Sequence, residues 1–336
     1  MSRRTANYLG ALLAVVATAA APAATTRTED FTIPSRDVGI RLHLRNVHDA
    51  ERGKFAGKQV VLFVHGATFP ATAGFDFDMP GGSWMTRLAR QGYDVYGLDI
   101  RGYGGSTRPR ALDEAPEKNK PFASTAEATR DIGAAVDWIL DRRGVRGLNV
   151  VGWSWGTTTT ASYAAAQPDR VRKLVLVSPV WLPMQPPNYS GAWRASTHDG
   201  ARAFMTAGIP PDRVAEISPP DQYERWWAET LATDPVGARR TPPVLRSPNG
   251  VMKDFTEIWG AGKTAYDPAA IRAPTLLAVG EWDVVTPPAM AIALYPRLVN
   301  ARDRRLVLLS EATHFMALEA HRERLFDAVQ AFIEEE

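Results

Sequence analysis

The chain contains no cysteine, which excludes a thiol nucleophile, a cysteine-ligated metal and any disulfide. It also carries little net charge, since 39 Lys and Arg residues against 37 Asp and Glu residues give +2. The longest apolar stretch near the start, residues 9–17, is well short of the roughly 20 residues that a membrane-spanning helix needs. A stable membrane span is therefore not expected, and nothing in the charge favours a nucleic-acid partner.

The first residues are typical of an export signal. Arg3 and Arg4 precede the apolar stretch, and small residues follow at 19–23. We expect residues 1–23 to be a signal peptide and the mature protein to be periplasmic or secreted. The alternative is a disordered or anchoring start. Cleavage would remove Arg3 and Arg4, which would leave basic and acidic side chains in equal number.

Apolar runs alternate with helical patterns over most of the remaining chain, which predicts a doubly wound, mainly parallel α/β sheet. Residues 181–266, rich in proline and tryptophan, interrupt this alternation. We interpret them as a cap inserted into a core formed by residues 30–180 and 267–336. The predicted strands are 40–47, 59–64, 93–98, 148–151, 173–177, 274–279 and 306–309, and the predicted helices are 83–90, 124–143, 157–166, one from about 288 and one from 317.

One serine is placed as a nucleophile would be. Ser154 lies in Gly152-Trp153-Ser154-Trp155-Gly156, between a predicted strand and a predicted helix. A sharp turn there would expose the hydroxyl at the sheet edge, and the flanking glycines would leave room for neighbouring backbone. The alternative is a strand–helix junction built from small residues with no catalytic role.

A serine nucleophile needs a base that is oriented by a third group. Asp283 and His314 each follow a late predicted strand, so parallel strands would bring both to the same edge of the sheet as Ser154. We predict that His314 is the base and Asp283 the acid. Glu281 is the alternative acid, and a turn-stabilising Asp283 or a surface His314 is the non-catalytic interpretation.

An oxyanion would need two backbone donors. The amide of Trp155, at the start of the helix, is one candidate. The other is the amide of Ala67, with Thr68 as the alternative, in the loop after the strand 59–64. His65 is expected to anchor this loop rather than to take part in chemistry.

The chain from about residue 33 onward resembles the α/β-hydrolase superfamily. The pieces that match, in order, are His65-Gly66, residues 99–106, residues 152–156, residues 280–283 and residues 313–315. The resemblance implies a capped hydrolase with Ser154 as nucleophile, Asp283 as acid, His314 as base, and Ala67 and Trp155 as oxyanion donors. Residues 99–102 form a loop that recurs in such folds and is expected to be structural.

Two differences from particular families of this superfamily narrow the range of reactions that the resemblance implies. Haloalkane dehalogenases and epoxide hydrolases have an aspartate nucleophile, and this chain has Ser154. The residues around Ser154 are similar to those of prolyl iminopeptidases, but those enzymes carry His-Gly-Gly-Pro where this chain has His65-Gly66-Ala67-Thr68. The difference argues against aminopeptidase activity.

The substrate is expected to be a small molecule with apolar or aromatic character, because aromatic residues surround the predicted site. We predict substrate contacts from Thr68, Phe69, Trp153 and Trp181. The loop after Ala67 also holds Asp76 and Asp78, which are expected to be solvated; binding of a metal or a substrate amine is the alternative.

These residues predict acyl transfer from a carboxylic ester or a lactone, with no metal and no cofactor. Cleavage of an amide or of a carbon–carbon bond beside a carbonyl is the alternative, since the same triad serves both. A non-catalytic binding protein on this fold is a third interpretation.

Overall fold

A computed structural model describes residues 25–335, so the predicted signal peptide at 1–23 lies outside the described residues. The described chain is built around an eight-stranded sheet. The sheet strands are β1 (Thr26–Pro34), β2 (Arg41–Asp49), β3 (Val60–Val64), β4 (Asp94–Leu98), β5 (Leu148–Trp153), β6 (Val171–Val177), β9 (Thr275–Gly280) and β10 (Arg304–Leu309). They lie side by side in the order β1-β2-β4-β3-β5-β6-β9-β10. In that order every neighbouring pair from β4 to β10 is parallel, and β2 pairs antiparallel with both β1 and β4.

Helices cover both faces of this sheet, which confirms the doubly wound α/β class. The core helices are α1 (Ala71–Phe75), α2 (Trp84–Arg90), α3 (Thr125–Arg143), α4 (Trp155–Ala166), α10 (Pro288–Leu294) and α11 (Glu323–Glu334). Ile132 of α3 packs in one apolar layer with Leu62 of β3. Phe326 of α11 packs in the opposite layer with Phe63. Short 3-10 turns occupy Gly57–Gln59, Arg110–Leu112, Pro116–Lys118, Pro268–Ala270, Tyr295–Arg297 and Met316–Leu318.

The segment between β6 and β9 lies outside this alternation. It contains a two-stranded antiparallel ribbon and several short helices. Its elements are β7 (Trp193–Ser196), α5 (His198–Met205), α6 (Val214–Ile217), α7 (Pro220–Ala232), α8 (Pro235–Ala238), β8 (Leu245–Pro248), α9 (Gly250–Asp254) and a π-helical turn at Phe255–Trp259. We call this segment, residues 181–266, the cap.

Several elements differ from the sequence predictions. Helix α1 forms in the stretch after Ala67 that was expected to be a loop, and α4 begins at Trp155 rather than at residue 157. Strand β1 was not predicted, because its edge position leaves only Ile33 fully buried and Phe31 partly buried in a mostly polar strand. The final helix was predicted from residue 317 but begins at Glu323. Residues Met316–Leu318 are buried in a 3-10 turn, so their apolar character reflects packing rather than a helical face.

No helix within residues 25–335 is long and apolar enough to cross a membrane.

Candidate active site

Ser154 occupies a strained turn between β5 and α4. Its backbone has φ 57° and ψ −123°, a conformation that residues other than glycine rarely adopt. A Cβ at Gly152 would lie 2.4 Å from the Gly156 carbonyl oxygen, and one at Gly156 would lie 2.3 Å from the Val64 carbonyl oxygen. Both positions therefore need glycine, and together they allow the serine to stand at the carboxyl end of the sheet.

The structure brings the three predicted triad residues together. His314 Nε2 lies 2.9 Å from Ser154 Oγ, and His314 Nδ1 lies 2.9 Å from Asp283 Oδ2. The imidazole can thus accept the serine proton at one nitrogen while its other N–H donates to the carboxylate. This is the connected arrangement that general-base activation of a serine needs.

The Asp283 carboxylate is held in its ionised form. Oδ1 accepts from the amides of Val285 at 2.9 Å and Thr286 at 2.7 Å, and the Thr286 hydroxyl donates to Oδ2 at 2.9 Å. Burial by itself raises the pKa of Asp283, but the charge and hydrogen bond of His314, together with hydrogen bonds from Thr286 and Ser178, outweigh burial and hold that pKa below its usual range. The alternative acid, Glu281, accepts instead from the Glu311 amide at 3.2 Å.

The loop that carries His314 is fixed from two sides. The Trp153 indole N–H donates to the His314 carbonyl at 2.9 Å. At the preceding residue, the Thr313 amide donates to the Glu319 carboxyl at 3.2 Å, and the Thr313 hydroxyl donates to the same carboxyl. Glu319 is only 2% exposed, and burial raises its pKa to about 7, with the charge of Asp283 acting in the same direction.

The loop after β3 lies directly beside the serine. A Cβ at Gly66 would approach Ser154 Cβ to 3.0 Å, so a larger residue there would force the loop or the serine to shift. The His65 ring donates from Nδ1 to the Gly66 carbonyl at 2.7 Å, while Nε2 accepts from the Ile100 amide at 3.1 Å. This is the anchoring role expected of His65, and it leaves Ala67 beside Ser154 in the same cavity.

Trp155 begins α4, so its backbone amide is one of the unpaired donors at a helix N-terminus, where the dipole favours negative charge. Its indole is buried and donates to Thr125 at 3.0 Å. The Trp155 side chain is therefore part of the core, while its backbone faces the turn that carries Ser154.

A small apolar cavity opens above Ser154. Its volume is about 30 Å³, far below the roughly 300–1,000 Å³ of sites that enclose drug-sized ligands. Three residues predicted to contact substrate, Thr68, Phe69 and Trp153, line it. Two further rings were not predicted: Phe315, next to His314, and Phe204 from α5 of the cap.

Phe204 is a cap residue that lines the cavity beside His314. Its ring centroid lies 5.0 Å from that of Phe315 and 6.2 Å from that of His314. The sequence carried no signal for it, because Phe204 reaches the site only through the docking of α5. Phe315 could have been suspected from its position after His314.

Trp181 lies apart from this cavity. It packs at 5.6 Å against both Trp259 and Tyr266, where the cap leaves the core. Its packing is that of a junction residue, and a contact with substrate stays a prediction. Asp76, which was expected to be solvated, is instead mostly buried, where it accepts from Ser83 at 2.7 Å and pairs with Arg45 at 3.3 Å; Asp78 is exposed.

Within the described part of the chain, no group of three or more His, Asp or Glu side chains is placed to hold a metal ion.

Comparison with known proteins identifies the family. The sequence pattern of the α/β-hydrolase fold matches residues 59–320, which is most of the chain. The chain therefore belongs to the α/β-hydrolase fold family, and the sequence-based recognition of that family is confirmed.

Relatives with curated names include lipases and esterases. The chain is 26% identical over 147 residues to human Lipase member N, covering 44% of this chain and 37% of that protein. It is 24% identical over 266 residues to the uncharacterised carboxylesterase nap of Bacillus subtilis, covering 77% and 74%. The chain thus spans little more than a third of the lipase but about three quarters of the carboxylesterase.

Solved structures share the fold over nearly the whole chain. A 2-hydroxy-6-oxo-6-phenylhexa-2,4-dienoate hydrolase from Rhodococcus sp. strain RHA1 superposes with a TM-score of 0.61. The match covers 93% of this chain and 100% of that one at 18% identity. At this identity the likeness establishes the fold alone.

Proposed function

We propose that this protein is a serine hydrolase that cleaves a carboxylic ester or a lactone bearing an apolar or aromatic group. The observation that carries the proposal is the unbroken chain of contacts from Ser154 Oγ through His314 to Asp283. Four aromatic side chains around the serine support an apolar substrate group: Phe69, Trp153, Phe204 and Phe315.

In the proposed reaction His314 takes the Ser154 proton as the hydroxyl oxygen attacks the substrate carbonyl. The backbone amides of Trp155 and Ala67 hold the oxyanion that forms. His314 then gives its proton to the departing alcohol, which leaves an acyl group on Ser154. Water, deprotonated by His314, attacks this ester, and His314 returns that proton to Ser154 Oγ as the carboxylic acid leaves. Asp283 keeps the imidazole in the tautomer that accepts at Nε2.

Amide cleavage and carbon–carbon cleavage beside a carbonyl remain the alternative reactions, because they use the same triad. The Rhodococcus hydrolase supports the carbon–carbon alternative through fold alone. The named lipase and carboxylesterase relatives favour ester cleavage.

The experiment has two stages. A fluorophosphonate probe should label wild-type protein at Ser154 and leave Ser154→Ala unlabelled; an unlabelled wild type would favour a binding protein. Initial rates on p-nitrophenyl esters, lactones, amino-acid anilides and β-diketones then identify the bond. Highest kcat/KM on anilides or diketones would overturn the ester assignment.

We also propose that the protein is exported, on the strength of residues 1–23 alone. Mass spectrometry of protein recovered outside the cytoplasm should find a chain that begins within a few residues of position 24. A full-length chain confined to the cytoplasm would contradict this.

A further inference from the structure

The two strands of the cap ribbon meet the loop that supplies Ala67. Arg194 of β7 and Ser247 of β8 stand directly opposite each other in the ribbon. Arg194 Nη2 donates to the Ala67 carbonyl, and Ser247 Oγ donates to the Thr68 carbonyl at 2.8 Å. Two cap residues on facing strands therefore hold two consecutive carbonyls of the core loop.

The partners of Arg194 are all neutral oxygens. Its Nη2 also donates to Thr68 Oγ1 at 3.1 Å, and its Nη1 donates to the Pro248 carbonyl at 2.7 Å and to Asn249 Oδ1 at 3.4 Å. None of the ion pairs within residues 25–335 involves this guanidinium. With four N–H groups already engaged, the side chain is suited to hold backbone rather than to receive an anionic ligand.

The ribbon itself is firmly anchored. Next to Ser247, Arg246 forms a fully buried ion pair with Asp234 at 2.6 Å and donates to the Leu112 carbonyl of the core. The Gly250 amide donates to the Phe122 carbonyl at 2.8 Å. The donors that reach the loop are thus fixed in place, as a supporting structure for a catalytic loop has to be.

A core residue completes the support. The Tyr103 hydroxyl donates to the same Ala67 carbonyl at 2.7 Å. This carbonyl belongs to the residue whose amide is the proposed oxyanion donor, so fixing it limits rotation about the Ala67 backbone. Oxyanion stabilisation depends on donors that are already in place when charge develops.

We propose that Arg194 and Ser247 are positioning residues through which the cap sets the oxyanion loop. The inference rests on the proposed function, since it presumes that Ala67 stabilises charge formed at Ser154. It adds that the cap contributes to the rate of the chemical step as well as to the shape of the substrate cavity.

The test compares the variants Arg194→Gln and Ser247→Ala with the control variant Arg52→Gln. Arg52 is a suitable control because it too is partly buried and donates to backbone carbonyls, of Gly92 at 3.2 Å and Lys54 at 3.3 Å, away from the site. The readouts are kcat and KM on an activated ester, the rate of fluorophosphonate labelling, and the melting temperature.

We expect Arg194→Gln to lower both kcat and the labelling rate about tenfold or more, with KM changed less than threefold, because misplacing a catalytic group acts on the transition state. Ser247→Ala should show a smaller loss of the same kind, and Arg52→Gln should show neither. The double variant should lose less than the product of the single losses, since both residues act on one loop.

Unchanged kcat and labelling in folded Arg194→Gln would overturn the proposal, as would a change in KM alone. If Arg194→Gln fails to fold, an unchanged labelling rate in folded Ser247→Ala would overturn it equally. Failure of the proposed function is a separate result that is seen in the wild type: either Ser154 is not labelled, or kcat/KM is highest on anilides or diketones.

Discussion

Glu319 makes the stability of this protein depend on pH in a way that can be calculated. The carboxyl is buried beneath the His314 loop, and burial raises its pKa from an ordinary 4.5 to about 7. The Thr313 hydrogen bonds oppose this rise, but they do not cancel it. The folded chain therefore binds the proton of Glu319 more tightly than the unfolded chain does.

The sign and size follow from proton linkage. A group whose pKa is raised by folding contributes stability that is fully present below about pH 4.5 and is lost as the pH rises through about 7. The difference between the two values corresponds to about 3 kcal/mol of unfolding free energy, at about 1.36 kcal/mol per unit.

The variant Glu319→Gln should remove this pH dependence. A glutamine oxygen can still accept from the Thr313 amide, but the side chain does not titrate. Urea unfolding of wild type and variant between about pH 4 and about pH 8.5 gives the free energies. The advantage of the variant over wild type should grow by about 3 kcal/mol across that range.

Other groups that titrate in this range are common to both proteins and largely cancel in the difference. Glu117→Gln, at an exposed position, provides the matched control and should leave the pH profile unchanged. Parallel profiles for wild type and Glu319→Gln would refute the reasoning, because they would mean that Glu319 ionises equally easily in both states.

Three other outcomes are expected. Asp283→Asn should lower kcat by about 10³–10⁴ with the fold intact by circular dichroism, because the wrong His314 tautomer is then favoured; a loss below tenfold would contradict this. Phe204→Ala should raise kcat/KM for p-nitrophenyl octanoate relative to acetate by about tenfold or more, since it removes a large ring that lines the small cavity; an unchanged ratio would contradict the assigned position. Gly156→Ala should lower the unfolding free energy by about 1–3 kcal/mol, measured in urea, because its Cβ meets the Val64 carbonyl; wild-type stability would show that the backbone yields freely there.

The meeting of Ser154, Asp283 and His314 was predictable from sequence because of a property of parallel sheets. Each residue follows a strand, and parallel strands end at one edge, so positions more than 100 residues apart could be placed together. Their catalytic roles stay predictions until they are measured.

The cap could not be predicted in the same way. Arg194 and Ser247 reach the site through a ribbon whose pairing is non-local and whose docking depends on buried contacts such as Arg246 with Asp234. Glu319 was missed for a related reason, since its sequence pattern is that of an ordinary polar residue before a helix. Only the buried position of Glu319 in the folded chain shows that its ionised form is destabilised.

The hydrogen bonds from the ribbon to residues 67 and 68 bear on how this protein could be redesigned. Exchange of caps between related hydrolases is an attractive route to new substrate ranges, because the inserted segment looks separable from the core. In this chain such a chimaera would also exchange the donors at positions 194 and 247. A transplanted cap would have to bring equivalent donors, or the recipient core would need a loop after β3 that holds its own shape.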